Sequence, residues 1–257
     1  METSPGPWIG ALRRSHDHLQ ALVEPLDLGQ LQQRSYCSEW SMAQVLSHFG
    51  SSAEIFGLWL DAGLSGQDPP GGDAYGPIWS TWNAKEPQAQ AADGLQADET
   101  ALERLESLDA DQRARFRLQL FGMDLDAAGL ARMRVSEHVI HTWDVAVTLD
   151  PSATVEPDAA GLLIDTVGQL VAWAGQPDGK QRRLRIRTSD PERDFLLETG
   201  TAVTLTAADG GGKPPDLHLP AEAFIRLVYG RLDQAHTPPL EADGVDLGEL
   251  RRIFPGI

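Results

Sequence analysis

Cysteine is nearly absent from this 257-residue chain, with Cys37 the single example. That excludes an intrachain disulfide framework and any zinc site made of several thiolates. Basic residues are also scarce: 21 Lys and Arg face 38 Asp and Glu, a formal net charge of -17 at pH 7. A surface of that sign repels a polyanionic backbone and anionic lipid, so neither nucleic acid nor a membrane is an expected partner. No apolar run approaches the roughly 18 residues that span a bilayer. The N-terminal "METSPGPWIGALRRSHDHLQ" lacks the basic-then-apolar order of a secretory signal. These absences predict a cytoplasmic protein. A monomer or weak homo-oligomer is expected. A phosphate loop and a dinucleotide fingerprint are missing as well. Apolar residues are plentiful, 41% of the chain with 7 Trp, enough to bury a core without cross-links.

The first half reads as helical. In "PGPWIGALRRSHDHLQALVEPL", Trp8, Leu12, Leu19 and Leu22 recur mostly at three- and four-residue multiples until Pro25 closes the pattern. In "SEWSMAQVLSHFGSSAEIFGLWLDAGL", Ser41 is the expected N-cap and Gly63 the expected stop. A Gly- and Pro-rich loop, "SGQDPPGGDAYGP", precedes a third helix in "ADETALERLESL". After a turn-prone stretch around Gly122, a long helix is predicted from Asp126 to about Leu149. Four helices in this half predict an antiparallel bundle. Pro151 and Pro157 bracket a linker. Beyond it, one helix in "DAAGLLIDTVGQLVAWAG", strands in "RRLRIRTSD", "FLLETG" and "AVTLTAAD", and closing helices in "PAEAFIRLVYGRL" and "DLGELRRIF" predict an α+β unit. The expected fold class is therefore a helical-bundle domain over 1–150 followed by a smaller α+β domain over 155–257. The tract "DGGGKPP" reads as a hairpin tip, since it lacks the Lys-Ser or Lys-Thr ending of a phosphate cradle.

Coordinating side chains concentrate in "RVSEHVIHTWDV", residues 134–145. Glu137 and His141 are four apart and share one helix face, presenting a carboxylate and an imidazole to one point. That pattern alone also describes a solvated helix face with one core histidine. His48, in "VLSHFG" on the second helix, lies at the edge of an apolar stripe, and facing helices of a bundle can bring it to the same place. Two imidazoles and one carboxylate with an open position are the donor set of a catalytic zinc. His138 is one place from Glu137, about 100° around the helix, which makes it a poor companion ligand. Asp144 either orients the His141 imidazole or ends the helix in solvent; Arg134 is expected to pair with a carboxylate inside the bundle. Trp79 and Trp82 are candidate cleft walls, whereas His16, His18, His218 and His236 show no partner pattern. Cys37 precedes His48 by eleven residues, which places it roughly 16 Å away along the axis if the helix extends that far.

Taken together, "EWSMAQVLSHFG" and "RVSEHVIHTWDVA" resemble the mycothiol-dependent maleylpyruvate isomerase family, DinB-like four-helix metalloenzymes with a sterol-carrier-like C-terminal domain. The residues that carry the resemblance are Trp40, Ser41 and His48 in the first motif and Arg134, Glu137, His141, Trp143 and Asp144 in the second. "AEAFIRLVYGRL" is similar to the Gly-Arg helix of the C-terminal domain. The resemblance implies His48, Glu137 and His141 as ligands of zinc or another divalent metal. It also implies Arg231 as a substrate-binding or catalytic arginine, and mycothiol as the thiol cofactor.

The chemistry agrees with the residues. A cation held by two neutral histidines and one glutamate keeps positive charge, so an incoming thiol loses its proton near neutral pH. Thiolate addition to a conjugated double bond, rotation and elimination would give an isomerase; release of the adduct would give an S-transferase. A small electrophile and a low-molecular-weight thiol are thus the expected partners. The competing reading is a non-catalytic small-ligand-binding or interaction protein on the same scaffold. A carboxylate-bridged di-iron bundle lacks here the repeated Glu-x-x-His pattern it requires.

Overall fold

The computed structural model describes residues 4–37, 39–209 and 214–256. The chain divides into two compact units, Met1–Ala153 and Thr154–Ile257. Among the described residues, no helix is long and apolar enough to cross a membrane.

The first unit runs through α1 (Gly6–Val23), α2 (Leu28–Gln32), α3 (Met42–Ser65), α4 (Tyr75–Asn83), α5 (Pro87–Glu106), α6 (Ala110–Arg115), a hairpin of β1 (Leu118–Leu120) and β2 (Met123–Leu125), and α7 (Ala127–Leu149). Four of these are long: α3 packs along α5 and α1 along α7, with α1 also touching α5 and α3 touching α7. The helix starts follow from capping. Ser41 Oγ accepts from the Gln44 amide while the Gln44 side chain accepts from the Ser41 amide, which satisfies two of the orphan donors at the head of α3. Asp126 satisfies one such donor of α7 by accepting from the Gly129 amide at 2.7 Å.

The end of α3 differs from expectation. The helix continues through Gly63 and stops at Gly66, whose φ of 67° is the left-handed conformation of a C-cap. Gly63 serves packing instead: a Cβ there would lie 2.2 Å from the Phe116 ring. Gly94 of α5 has a comparable role, since a Cβ would come within 2.4 Å of the Leu46 carbonyl oxygen on α3. The two helices therefore meet backbone to backbone. α5 also begins ten residues before the "ADETALERLESL" segment, because its first half buries Gln90, Ala91 and Gly94, a stripe too weakly apolar to read from sequence.

In the second unit, the helix expected over "DAAGLLIDTVGQLVAWAG" is two helices, α8 (Pro157–Leu163) and α9 (Val167–Ala174). Thr166 breaks it by turning its amide and hydroxyl onto the Leu163 carbonyl, at 3.0 and 3.1 Å, a local bond that competes with the helical ladder. The five-stranded sheet has the order β5-β4-β3-β6-β7, formed by β3 (Arg182–Ser189), β4 (Arg193–Thr199), β5 (Thr204–Ala207), β6 (Leu217–Pro220) and β7 (Glu241–Ala242). β3 and β6 are parallel, with Ile186 opposite Leu217, and every other pairing is antiparallel. The apolar face of α10 (Ala221–Val228) packs on β3 and β6, and α11 (Leu247–Ile253) closes the unit. Strands β6 and β7 were too short to stand out in the sequence. Residues 210–213 of the "DGGGKPP" tract lie outside the described residues.

Candidate metal centre

Helix α7 buries Arg134, His138, His141, Thr142 and Asp144 among apolar neighbours. Polar groups removed from water need partners, and α7 finds them in two clusters.

In the first cluster, His48 of α3 meets Glu137 and His141 of α7. His48 Nε2 lies 2.8 Å from Glu137 Oε1, and His141 Nε2 lies 3.4 Å from the same oxygen. The three donor atoms all fall within 4.8 Å of one another. Ligands about 2.1 Å from a tetrahedral ion stand about 3.4 Å apart, so these side chains fit one divalent cation after only small displacements. The imidazoles face each other edge to face at 4.6 Å, and Trp40 stands 5.2 Å from His48 and 6.1 Å from His141. One side stays open: the Glu137 side chain is 45% exposed, whereas that of His141 is 11% exposed. Ser52 Oγ, a turn after His48, is 3.3 Å from His48 Nε2.

The charges follow from these contacts. Burial would raise the Glu137 carboxyl, but hydrogen bonds from His141 and His48 hold it well below the usual carboxylate range. Burial lowers His48, outweighing Glu137. Burial also opposes a charge on His141, yet hydrogen bonds with Asp144, Cys37 and Glu137 lift it well above an ordinary histidine. Without a cation, the cluster at neutral pH is thus an ionised Glu137 between a neutral His48, donating from Nε2, and a protonated His141.

Asp144 resolves to the orienting alternative. It is fully buried, and its Oδ2 accepts from His141 Nδ1 at 2.9 Å, which holds Nε2 toward Glu137. Cys37 corrects the sequence reading. Its Sγ donates to the same Asp144 oxygen at 3.0 Å, within 4.8 Å of His141, rather than standing far along a helix axis. The helix does not extend back to it. Residues 33–37 and 39–42 fold over instead, with an Arg34–Ser41 bridge, the Ser35 amide on the Trp40 carbonyl, and the Tyr36 amide on Thr148 Oγ1. The separation expected from an extended helix therefore does not hold.

The second cluster was not foreseen. Asp98 of α5 accepts from His16 Nδ1 at 2.7 Å, from His138 Nε2 at 2.8 Å and from Arg134, and all four residues are buried. His16, assigned no partner above, also bonds Glu99 at 3.0 Å. His138 Nδ1 lies 2.8 Å from Ser15 Oγ. Burial would raise Asp98, but the charges of His138 and Arg134 hold it well below its usual range. The expected Arg134 pairing is thus with Asp98. A signal did exist in the sequence: Asp98 falls on the stripe of Ala91, Gly94, Ala101, Leu102 and Leu105, where a carboxylate implies a buried partner.

Arg231 sits in the second unit, buried, with Nη1 donating to the Tyr229 carbonyl at 2.8 Å. His236 and His218 of that unit have carboxylate neighbours, Asp233 at 2.9 Å and Glu241 at 3.8 Å. Trp82 is buried and donates to Glu54 at 2.9 Å, whereas Trp79 is 47% exposed.

The family model of the mycothiol maleylpyruvate isomerase N-terminal domain matches residues 12–146, a span that contains His48, Glu137 and His141. Two solved structures share the fold. One is the crystal structure of a mycothiol-dependent maleylpyruvate isomerase, 14% identical, covering 93% of this chain and 96% of that one with a TM-score of 0.67. The other is a histidine-to-alanine mutant of such an isomerase, also 14% identical, with 90% of each chain covered and a TM-score of 0.66. No curated protein matches the chain significantly.

Proposed function

The chain belongs to the family defined by the mycothiol maleylpyruvate isomerase N-terminal domain, and from that premise we propose that it is a zinc-dependent enzyme using mycothiol to isomerise, or transfer sulfur to, a small electrophile. One observation carries the reading: His48 Nε2, Glu137 Oε1 and His141 Nε2 converge within 4.8 Å inside the span the family model matches. We read the first unit as a DinB-like bundle and the second as a sterol-carrier-like domain.

In this reading His48, Glu137 and His141 hold the ion. When bound, it supplies the positive charge that favours the ionised form of an incoming thiol at neutral pH. Asp144 fixes the His141 ring so that Nε2 rather than Nδ1 faces the open side. Trp40 and Phe49 wall the imidazoles with apolar surface, which strengthens electrostatic interactions there by excluding water. Ser52 offers a hydroxyl beside His48 to a polar group of the bound thiol or substrate. In this proposal the thiolate adds to a conjugated carbon of the electrophile and the double-bond electron pair moves onto the carbonyl oxygen as an enolate; the carbon–carbon bond, now single, rotates, and return of the pair expels the thiolate and restores the double bond in the trans form. Cys37 Sγ is engaged with Asp144 on the Nδ1 side of His141, away from the open side, so the nucleophile is the external thiol. Arg231 is the proposed substrate-binding or catalytic arginine, a role that Arg231→Lys and Arg231→Ala test through KM for a carboxylate substrate.

The test supplies the zinc-loaded full chain with maleylpyruvate and mycothiol. The expected result is conversion to the trans isomer, with the thiol recovered for an isomerase or consumed stoichiometrically for an S-transferase. Turnover that persists without any low-molecular-weight thiol, or after zinc is removed by a chelator, overturns the reading.

A further inference from the structure

We infer that a second cation position, suited to thiophilic divalent ions, lies on the opposite edge of the His141 imidazole and is formed by Cys37 Sγ, Asp144 Oδ2 and His141 Nδ1. The inference rests on the preceding reading only in sharing His141. The three atoms lie within 4.8 Å of one another, with Asp144 Oδ2 central at 3.0 Å from Sγ and 2.9 Å from Nδ1. Each ring nitrogen of His141 thus faces its own donor triad.

Several features make this a built position rather than a stray thiol. The loop that carries Cys37 is tied to α3 through the Arg34–Ser41 bridge and to α7 through the Tyr36 amide on Thr148. Sγ is therefore placed by a loop whose backbone is bonded to the cap of α3 and to a side chain of α7. Asp144 is fully buried, while Cys37 is partly exposed and gives a route from solvent. The donor set is one sulfur, one carboxylate oxygen and one imidazole nitrogen, which favours zinc or cadmium over magnesium or calcium, ions that select oxygen. A thiolate and a carboxylate together neutralise a divalent charge, the condition for holding a cation out of water. Bonds of about 2.3 Å to sulfur and 2.0 to 2.1 Å to nitrogen and oxygen need the three atoms to spread by only a few tenths of an ångström from their hydrogen-bonded spacing.

The proton balance defines how the two positions interact. Entry of the ion at the second position replaces the two protons that Asp144 Oδ2 accepts there, one from Cys37 Sγ and one from His141 Nδ1. The first position uses the other nitrogen of the same ring. Two divalent ions on opposite edges of one imidazole repel each other, so each weakens the other's binding, and reciprocally so.

Cadmium is the probe, added to the metal-free full chain. The expected result is a thiolate-to-cadmium absorption band in the ultraviolet, absent from Cys37→Ser, retained in His48→Ala, and accompanied in wild type by a shift of one histidine Nδ1 resonance in nitrogen-15 spectra. Asp144→Asn should weaken the band-forming affinity at least about tenfold, and zinc added first should raise the cadmium concentration needed. If Asp144→Asn does not fold, the wild-type nitrogen-15 spectrum decides the matter alone. A band with no change at any histidine Nδ1 overturns the second position and reduces Cys37 to a simple thiol ligand; the absence of any band overturns it outright. Failure of the first position shows separately, as zinc binding that His48→Ala leaves unchanged in a Cys37→Ser background, where the second position is gone.

Discussion

Asp144 Oδ2 stands 2.9 Å from His141 Nδ1, one turn apart on α7, and the carboxylate that makes this bond has no exposure to solvent. A buried anion of this kind fixes the ring and favours its protonated form. The proposed ligand atom, Nε2, is thereby directed at Glu137.

A consequence is that zinc competes with a proton. His141 is held well above the ordinary histidine value, because its bonds to Asp144, Cys37 and Glu137 together outweigh the opposing effect of burial. It is therefore protonated at pH 7 in the metal-free protein, and binding through Nε2 must release about one proton. Affinity should fall as pH is lowered. Calorimetry at pH 7 in buffers of different ionisation enthalpy counts the protons, and a count of zero contradicts the assignment.

In a Cys37→Ser background, which removes the second cation position, His48→Ala should lose zinc without unfolding. The His48 side chain is 23% exposed and the Glu137 it leaves behind is 45% exposed, so water can replace the lost partner and the stability cost stays under about 1 kcal/mol. Metal content after dialysis and urea unfolding give the two readouts. Wild-type zinc content in the variant, or a collapse of the fold, would count against the site.

Asp98→Ala should be much more damaging. It strips His16, His138 and Arg134 of a shared acceptor in the interior, and an uncompensated buried charge costs about 3 to 5 kcal/mol. Urea unfolding at pH 7 measures this, and a loss below about 1 kcal/mol would mean that the cluster re-pairs. The wild type carries the same dependence on pH. A depressed carboxyl contributes stability that is complete above its unfolded value of about 3.9 and is lost as pH falls through the lower folded value.

Gly94→Ala tests the close crossing of α5 on α3. The new methyl would meet the Leu46 carbonyl oxygen at 2.4 Å, and since that atom belongs to backbone the helices must separate, at a cost of about 1 to 3 kcal/mol. His48 lies two residues beyond Leu46, so zinc affinity should fall with stability. An unchanged unfolding midpoint would show that the crossing is looser than this.

What the sequence determined by itself was local. The Ser41 cap, the span of α7 and the shared face of Glu137 and His141 all follow from a 3.6-residue period and from capping chemistry, which act within a turn or two. Acidic composition and the single cysteine likewise need no fold to interpret. Tertiary structure decided everything that joins distant segments. His48 reaches Glu137 across 89 positions, and His16 reaches Asp98 across 82. Cys37 turned out to lie beside Asp144 because a bridge between Arg34 and Ser41 folds its loop back. The parallel pairing of β3 with β6 and the break between α8 and α9 belong to the same class. Periodicity reports which side of an element faces the core, but not which element it faces there; a buried carboxylate such as Asp98 announces that a partner exists, and only the packed helices determine that the partners are Arg134, His138 and His16.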